Sequence, residues 1–300
     1  MASGRGWLVG VGALGLFGAG CSASSASAAP SDGGPSDTAI AAEGAAACTP
    51  SSSCGTGSGV GQCVTTVDAT LFDPSGKPVA GVPVFTCGTN LCTEPHPTAA
   101  DGHAQVAACL DIAAPALKVF NDPAWVPFAA LLEGAGPSYT LAHVTLAPLP
   151  ASGTPLAKGH NASAGVSLDV TGTVTFDLEH MSAASRGFRA ASVTPGWYAS
   201  TGLDPATLHI EVVWGLAPLN TKLSPAATLT VPNSAGWTAG AQVDVFLNGT
   251  DTSTSTPPAP WGTWGPIGTA HVSADGKTVA TDPGAGNGLP EVAMVGLKLH

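Results

Sequence analysis

The chain has 300 residues, of which only 10% are charged, and Gly and Pro together make up 65 of them (39 and 26). Nine Lys and Arg stand against 20 Asp and Glu, a net charge of −11. That excludes nucleic-acid binding, which needs basic patches to replace counterions. Glu, Lys and Arg are too scarce to clothe long surface helices, whereas Val, Thr, Gly and Pro are plentiful. The expected class is all-β, with many short strands and turns, and the length suits two domains of ordinary size.

Residues 1–20 read as a cleaved export signal. Arg5 precedes an apolar run from Trp7, which ends in small residues at Cys21. The run is about 14 residues, short of the roughly 20 that cross a bilayer as a helix. Two processing sites are open. Gly18-Ala19-Gly20-Cys21 resembles a bacterial lipobox, with Gly18 where Leu is usual. The resemblance implies a lipid on Cys21 and attachment to the cell envelope, at the outer membrane because Ser22 follows. The rival is Ala26-Ser27-Ala28, an A-x-A site whose use would remove Cys21 and release a secreted protein.

Residues 21–62 are rich in Ser, Ala, Gly and Pro and poor in large apolar side chains. Such a segment cannot offset its ordering entropy by burial, so a flexible tether of about 35 Å r.m.s. reach is expected. Without Cys21, six cysteines remain: Cys48, Cys54, Cys63, Cys87, Cys92 and Cys109. An even set in an exported chain reads as disulfides. Six cysteines allow 15 connectivities, which the sequence does not fix; Cys87 with Cys92, across the short GTNL loop, is one pair to expect. No C-x-x-C occurs, which argues against zinc.

A first sandwich is expected over 63–150. Val67, Ala69 and Leu71 alternate with polar neighbours, and Asp73-Pro74-Ser75-Gly76 has the residues of a type I turn. Val82 and Val84 alternate before Cys87, and Asp101-Gly102 turns the chain into AQVAACL. LKVF at 117–120 and YTLAHVTLAPL at 139–149 read as strands, and 125–132 as a short helix or buried loop. FDPSGKPVAGVPVF (72–85), followed by TAADGHAQV (98–106), resembles a carboxypeptidase regulatory-like domain of the prealbumin-like sandwich class. The resemblance spans roughly 85 residues and rests on turn chemistry. It implies a non-catalytic accessory or spacer domain. Iron-dependent dioxygenases on related sandwiches need two Tyr and an H-x-H pair; this chain has only Tyr139 and Tyr198 and no H-x-H.

Residues 151–165 read as a polar linker and 166–300 as a second sandwich. SLDVTGTVTFDL, ATLTV, AQVDVFL, GTAHVS and VAMVGLKL are strand-like, and Asp275-Gly276 is a turn. TLHIEVV places Leu208, Ile210 and Val212 on one face of an expected strand, and 181–192 suits a helical turn. Pro218, Thr221, Leu223, Pro225, Leu229 and Pro232 resemble the pattern of the sandwich domain of netrin receptors and ankyrins. Asn220 and Leu223 depart from that pattern, where a glycine and an aromatic are usual. The resemblance implies protein interaction or spacing.

Signatures of catalysis are missing. There is no G-x-S-x-G, H-E-x-x-H or Walker A motif, and the G-x-G-x-x-G at 10–15 lies inside the export signal. His96 and His103 flank the Asp101-Gly102 turn, with Glu94 near in sequence, and read as surface histidines, as do His143 and His209. Asp177 and Glu179 read as one solvated strand face. Asn161 and Asn248 begin N-glycosylation sequons. Trp261 and Trp264, in a Pro/Gly loop, are candidate exposed anchors for a partner or a sugar face; the other reading has them plug the sandwich end. No cofactor or metal is expected. The sequence thus points to a non-enzymatic envelope lipoprotein for adhesion, spacing or ligand binding. Its partners would be the membrane, through the lipid, and an envelope protein or polysaccharide. A secreted carbohydrate-binding module or an envelope hydrolase is the alternative.

Overall fold

The computed structural model describes residues 61–300 except 121, 135, 178–182, 200, 252–256, 283 and 285. The export signal, Cys21, Cys48, Cys54 and nearly all of the tether lie outside the described residues. Among the described residues, strands hold 53% and no helix reaches seven residues, so the fold is all-β.

Seven strands build the first half: β1 (Gln62–Phe72), β2 (Pro83–Cys87), β3 (His96–Pro97), β4 (His103–Ile112), β5 (Ala116–Val119), β6 (Phe128–Leu131) and β7 (Ser138–Thr145). They form two sheets, β4-β1-β7 and β3-β2-β5-β6. β1 runs antiparallel to β4 and parallel to β7. Val67, Ala69 and Leu71 face the core, as their alternation demands. A register shift between Val64 and Thr66 resets the phase, so Val64 is buried as well. The Asp73 turn forms as expected: Gly76 N donates to Asp73 O, and Asp73 Oδ1 accepts from Ser75 N and Lys77 N. Gly102 has φ +77°, and a Cβ there would lie 2.4 Å from Leu71 O, so only glycine fits that turn. Cys87 and Cys92 are disulfide-bonded across the GTNL loop. Cys63 and Cys109 are in disulfides too.

The second half adds β8 (Thr154–Pro155), β9 (Gly159–Ser163), β10 (Val166–Val170), β11 (Thr173–Thr175), β12 (Gly187–Val193), β13 (Val212–Ala217), β14 (Thr221–Pro232), β15 (Gln242–Asn248), β16 (Trp264–Val272), β17 (Thr278–Thr281), β18 (Leu289–Val292) and β19 (Val295–Leu299). Their order is β8-β12-β13-β19-β15-β16-β17-β14-β10-β9, with β11 and β18 also on β14, a nearly closed barrel-like sheet. Inward residues such as Leu168, Phe188, Leu216, Leu229, Val245 and Leu297 fill it.

Four segments differ from the sequence reading. Of 181–192, only Ala183–Arg186 is a helical turn; Gly187 begins β12, which pairs with β13. Residues 128–131 are a strand, because their apolar run is buried between β5 and the second half. Residues 151–165 contain β8 and β9, paired to β12 and β10. Leu208 ends a 3₁₀ turn from Pro205, which the Asp204 side chain caps at Ala206 N; His209 is then left-handed, and β13 starts only at Val212.

The described residues all belong to one compact unit. One core draws Val126 and Phe128 together with Tyr198, Val213, Trp264 and Met294. Gly215 permits this: a Cβ on it would lie 2.2 Å from Val126 Cγ1. The edge of β6 is covered rather than free. Leu131 N donates to Gly262 O at 3.0 Å, and Leu131 O accepts from Gly202 N at 3.1 Å. Asn248 Nδ2 donates to Ala129 O at 2.9 Å, and its Oδ1 accepts from Ala129 N at 3.2 Å.

Trp261 and Trp264 are not exposed anchors. They are 8% and 7% exposed, and their indole N–H groups donate to Ala114 O and Leu203 O at 2.9 and 3.0 Å. The loop folds inward because both rings find apolar walls and a carbonyl each. Replacing either with Ala is expected to cost about 3 kcal/mol or more in urea denaturation, as for other buried aromatics. A loss below about 1 kcal/mol would mean that the rings are not core.

Candidate functional site

The residues best placed for chemistry lie where β5, β14, β18 and the end of β15 meet. Lys118 sits in β5 between Leu117 and Val119 and is 7% exposed. Its Nζ donates to Thr250 O at 3.1 Å and lies over the rings of Phe120 (4.8 Å) and Trp261 (5.5 Å). Burial holds its pKa below the ordinary lysine range, against the pull of Asp177, Asp251 and Glu291. Asp251, also buried, accepts from Lys222 Nζ at 2.9 Å, and this bond raises the lysine's pKa.

Glu291 faces Lys222 in the β14–β18 register and is 3% exposed. Burial, and then the charge of Asp251, push its pKa up to about 7, against Lys222, a hydrogen bond from Thr250 and Lys118. Thr250 Oγ1 lies 2.7 Å from Asn220 Oδ1 and 3.5 Å from Glu291 Oε1. With Glu291 neutral, the two lysines face Asp177 and Asp251 in balance; ionised, it adds an uncompensated buried charge.

A cleft opens beside this cluster. Phe120, Asp122, Asp177, Arg189, Leu219 and Asn220 are among its walls. Arg189, in β12, is 3% exposed and donates through Nη1 to Pro123 O. Burial lowers its pKa, opposed by Asp122. The arrangement can hold charged or polar groups. Glu291 does not line the cleft, so it is not placed against a molecule seated there.

The histidines and sequons fall elsewhere. His103, His160, His271 and His300 each pair with an aspartate, at 3.3, 2.7, 2.5 and 2.7 Å. His143 stacks on Phe72, and His209 is exposed in its turn. Among the described residues no group of three His, Cys, Asp or Glu is placed to hold a metal ion. Glu179 lies outside the described residues, and Asp177 is half-buried rather than fully solvated. Asn161 and Asn248 are buried, and both use their amides inside the fold: Asn161 Nδ2 donates to Ala157 O at 2.8 Å, and Asn248 bridges to Ala129. The sequence reading passed over Lys118 and Glu291. Their signal was a lone charge inside an apolar run, LKVF and LPEVAMV.

The chain matches no protein-family model, no curated protein and no solved structure.

The Glu291 environment fixes a pH dependence. Its acid ionises near 4.5 when unfolded and near 7 when folded. The unfolded state therefore loses its proton first, and stability falls as pH rises from 4.5 to 7. Glu291→Gln is expected to remove this slope and to be more stable than wild type at pH 8 by about 2 kcal/mol. Denaturant melts of both proteins at pH 5 and pH 8 check it; an equal gap at the two pH values would count against a neutral Glu291.

Proposed function

We propose that this protein is a non-enzymatic lipoprotein of the cell envelope, held by a lipid on Cys21, in which the described body from residue 61 to 300 acts as a compact spacer or ligand-binding unit at the membrane surface. The observation that carries this reading is the oxidised state of Cys63, Cys87, Cys92 and Cys109 downstream of a short apolar leader ending at a cysteine. Disulfides persist in oxidising compartments outside the cytosol. Two sheets of three and four strands, joined through the Asp73 and Asp101-Gly102 turns, suit a carboxypeptidase regulatory-like sandwich, whose members serve as accessory modules.

Among the described residues the one exposed large apolar side chain is Leu299. A partner would then be met through polar contacts, since exposed apolar patches are what mark hydrophobic docking. The carbohydrate-binding reading loses its anchors with Trp261 and Trp264 buried, so spacing or polar ligand binding is the favoured form.

Intact mass of the protein from the membranes of the cells that make it tests the anchor. The expected species begins at Cys21, carries acyl chains and exposes its other cysteines to alkylation only after reduction. Cys21→Ser should leave the membrane fraction. A wild-type mass that begins at Ala29 without lipid would remove the tether and favour a released protein.

A further inference from the structure

The sequon at Asn248 is closed to a glycan, because the side chain is buried and both its amide atoms are used. The same two residues, Asn248-Gly249, have a second chemistry. An asparagine followed by glycine is the pair that cyclises most readily, because no Cβ on the next residue hinders the approach of its nitrogen. The nitrogen of Gly249 attacks Cγ of Asn248. A C–N bond forms, the bond from Cγ to the side-chain nitrogen breaks, and ammonia leaves. Water then opens the ring at one of its two carbonyls, to aspartate or isoaspartate. Water is the one co-reactant.

The junction with β6 demands this labile pair. Position 248 needs an amide: Nδ2 donates to Ala129 O at 2.9 Å and Oδ1 accepts from Ala129 N at 3.2 Å, and a carboxylate can do only the second. Position 249 needs a glycine: a Cβ there would strike Pro260 O and lie 2.7 Å from Ala259 O. The fold also keeps the pair inert. Asn248 is 0% exposed and held at both amide atoms, and Gly249 N donates to Thr263 O at 2.9 Å. Attack needs the side chain to turn from Ala129 and the N–H to leave Thr263. Both happen together when the segment after β15 parts from β6.

We propose that Asn248 is a site of spontaneous deamidation, shut in the folded protein and opened when that segment lifts. The product cannot close again. An aspartate at 248 meets Ala129 O with an acceptor in place of a donor, and it brings a charge into a fully buried position. An isoaspartate adds a methylene to the backbone at the end of β15, where Asn248 is paired with Trp264. Either product leaves the β6 edge uncovered at Ala129, and an uncovered edge is a template for another chain. The junction is therefore a one-way latch. A body that has stayed open is marked by its own chemistry and does not return to the native pool.

The test is peptide mapping by mass of the purified full-length protein, held at pH 8 either native or unfolded in urea with its disulfides intact. Conversion adds about 1 Da to the peptide that holds Asn248. The unfolded chain is expected to convert, with Asn287-Gly288, the other such pair, reacting alongside as a clock. The native protein should convert at Asn248 at least about a hundredfold more slowly, as a buried segment that opens only with much of the fold. After removal of urea and gel filtration, the folded fraction should hold unconverted chains, and the chains converted at 248 should lie outside it. Asn248→Asp, which makes one product directly, should melt about 10 °C lower, the shift expected for a buried unpaired charge in a body of this size. If that variant does not fold, the mapping of the wild-type protein still decides. Equal rates at Asn248 in the native and unfolded protein overturn the proposal. So does a folded fraction that carries the converted residue in the same proportion as the whole, or an Asn248→Asp variant that melts as wild type does.

Discussion

The edge of β6 is the constraint on which the two halves of the body depend. β6 closes the sheet β3-β2-β5-β6, so its outer N–H and C=O groups have no further strand to pair with. An open edge is a template for pairing with another chain. Here the segment after β15 lies along it, and the Asn248 side chain both gives to and takes from Ala129, as a neighbouring strand would. Gly262 and Gly202 take the two backbone groups of Leu131. These contacts fix where Trp261 and Trp264 must go, because each indole then reaches a carbonyl of a different segment, Ala114 and Leu203. The apolar contact between Val126 and the Gly215 backbone lies in the same junction.

The buried charges follow from that junction. Thr250 comes two residues after Asn248, and its carbonyl is the acceptor for Lys118. Bringing the loop onto β5 therefore buries an ammonium group, and the cost is met by two aromatic faces and by acids from other strands. Ion pairs of this kind stabilise little in net terms, but removing one partner leaves a buried charge uncompensated. That asymmetry makes them selective for one docking of the halves: a shifted loop would take Thr250 O from Lys118 and Asp251 from Lys222.

Local chemistry was legible in the sequence where one residue dictates one conformation. The Asp73 turn, the Gly102 turn and the alternation of β1 are of this type. Alternation says which face of a strand is buried, not what buries it. Val126, Phe128 and Trp264 were therefore assigned to separate halves, although they share one core. The sequence of the Trp261 loop, rich in Pro and Gly, was compatible with display and with burial; only the carbonyls of Ala114 and Leu203, distant in the chain, decide between them. The cluster was hidden for the same reason, since Lys118 and Glu291 are 173 positions apart (291 − 118) and meet only through strand order.

The disulfides of the described residues all lie in the first half. β1 is the central strand of β4-β1-β7. Extracting it means breaking ladders to both neighbours along most of its length at once. Cys63 lies at the start of that strand and Cys109 lies near the end of β4 that faces it, and both are in disulfides, so covalent bonds reinforce that end of the sheet. The second half has no cysteine. Its sheet nearly closes on itself, which removes most free edges and leaves hydrogen bonding and the filled interior to hold it. Covalent reinforcement in the first half and closure in the second are two different ways of holding a sheet, and the first half, whose sheets of three and four strands stay open, is the one that has the cysteines.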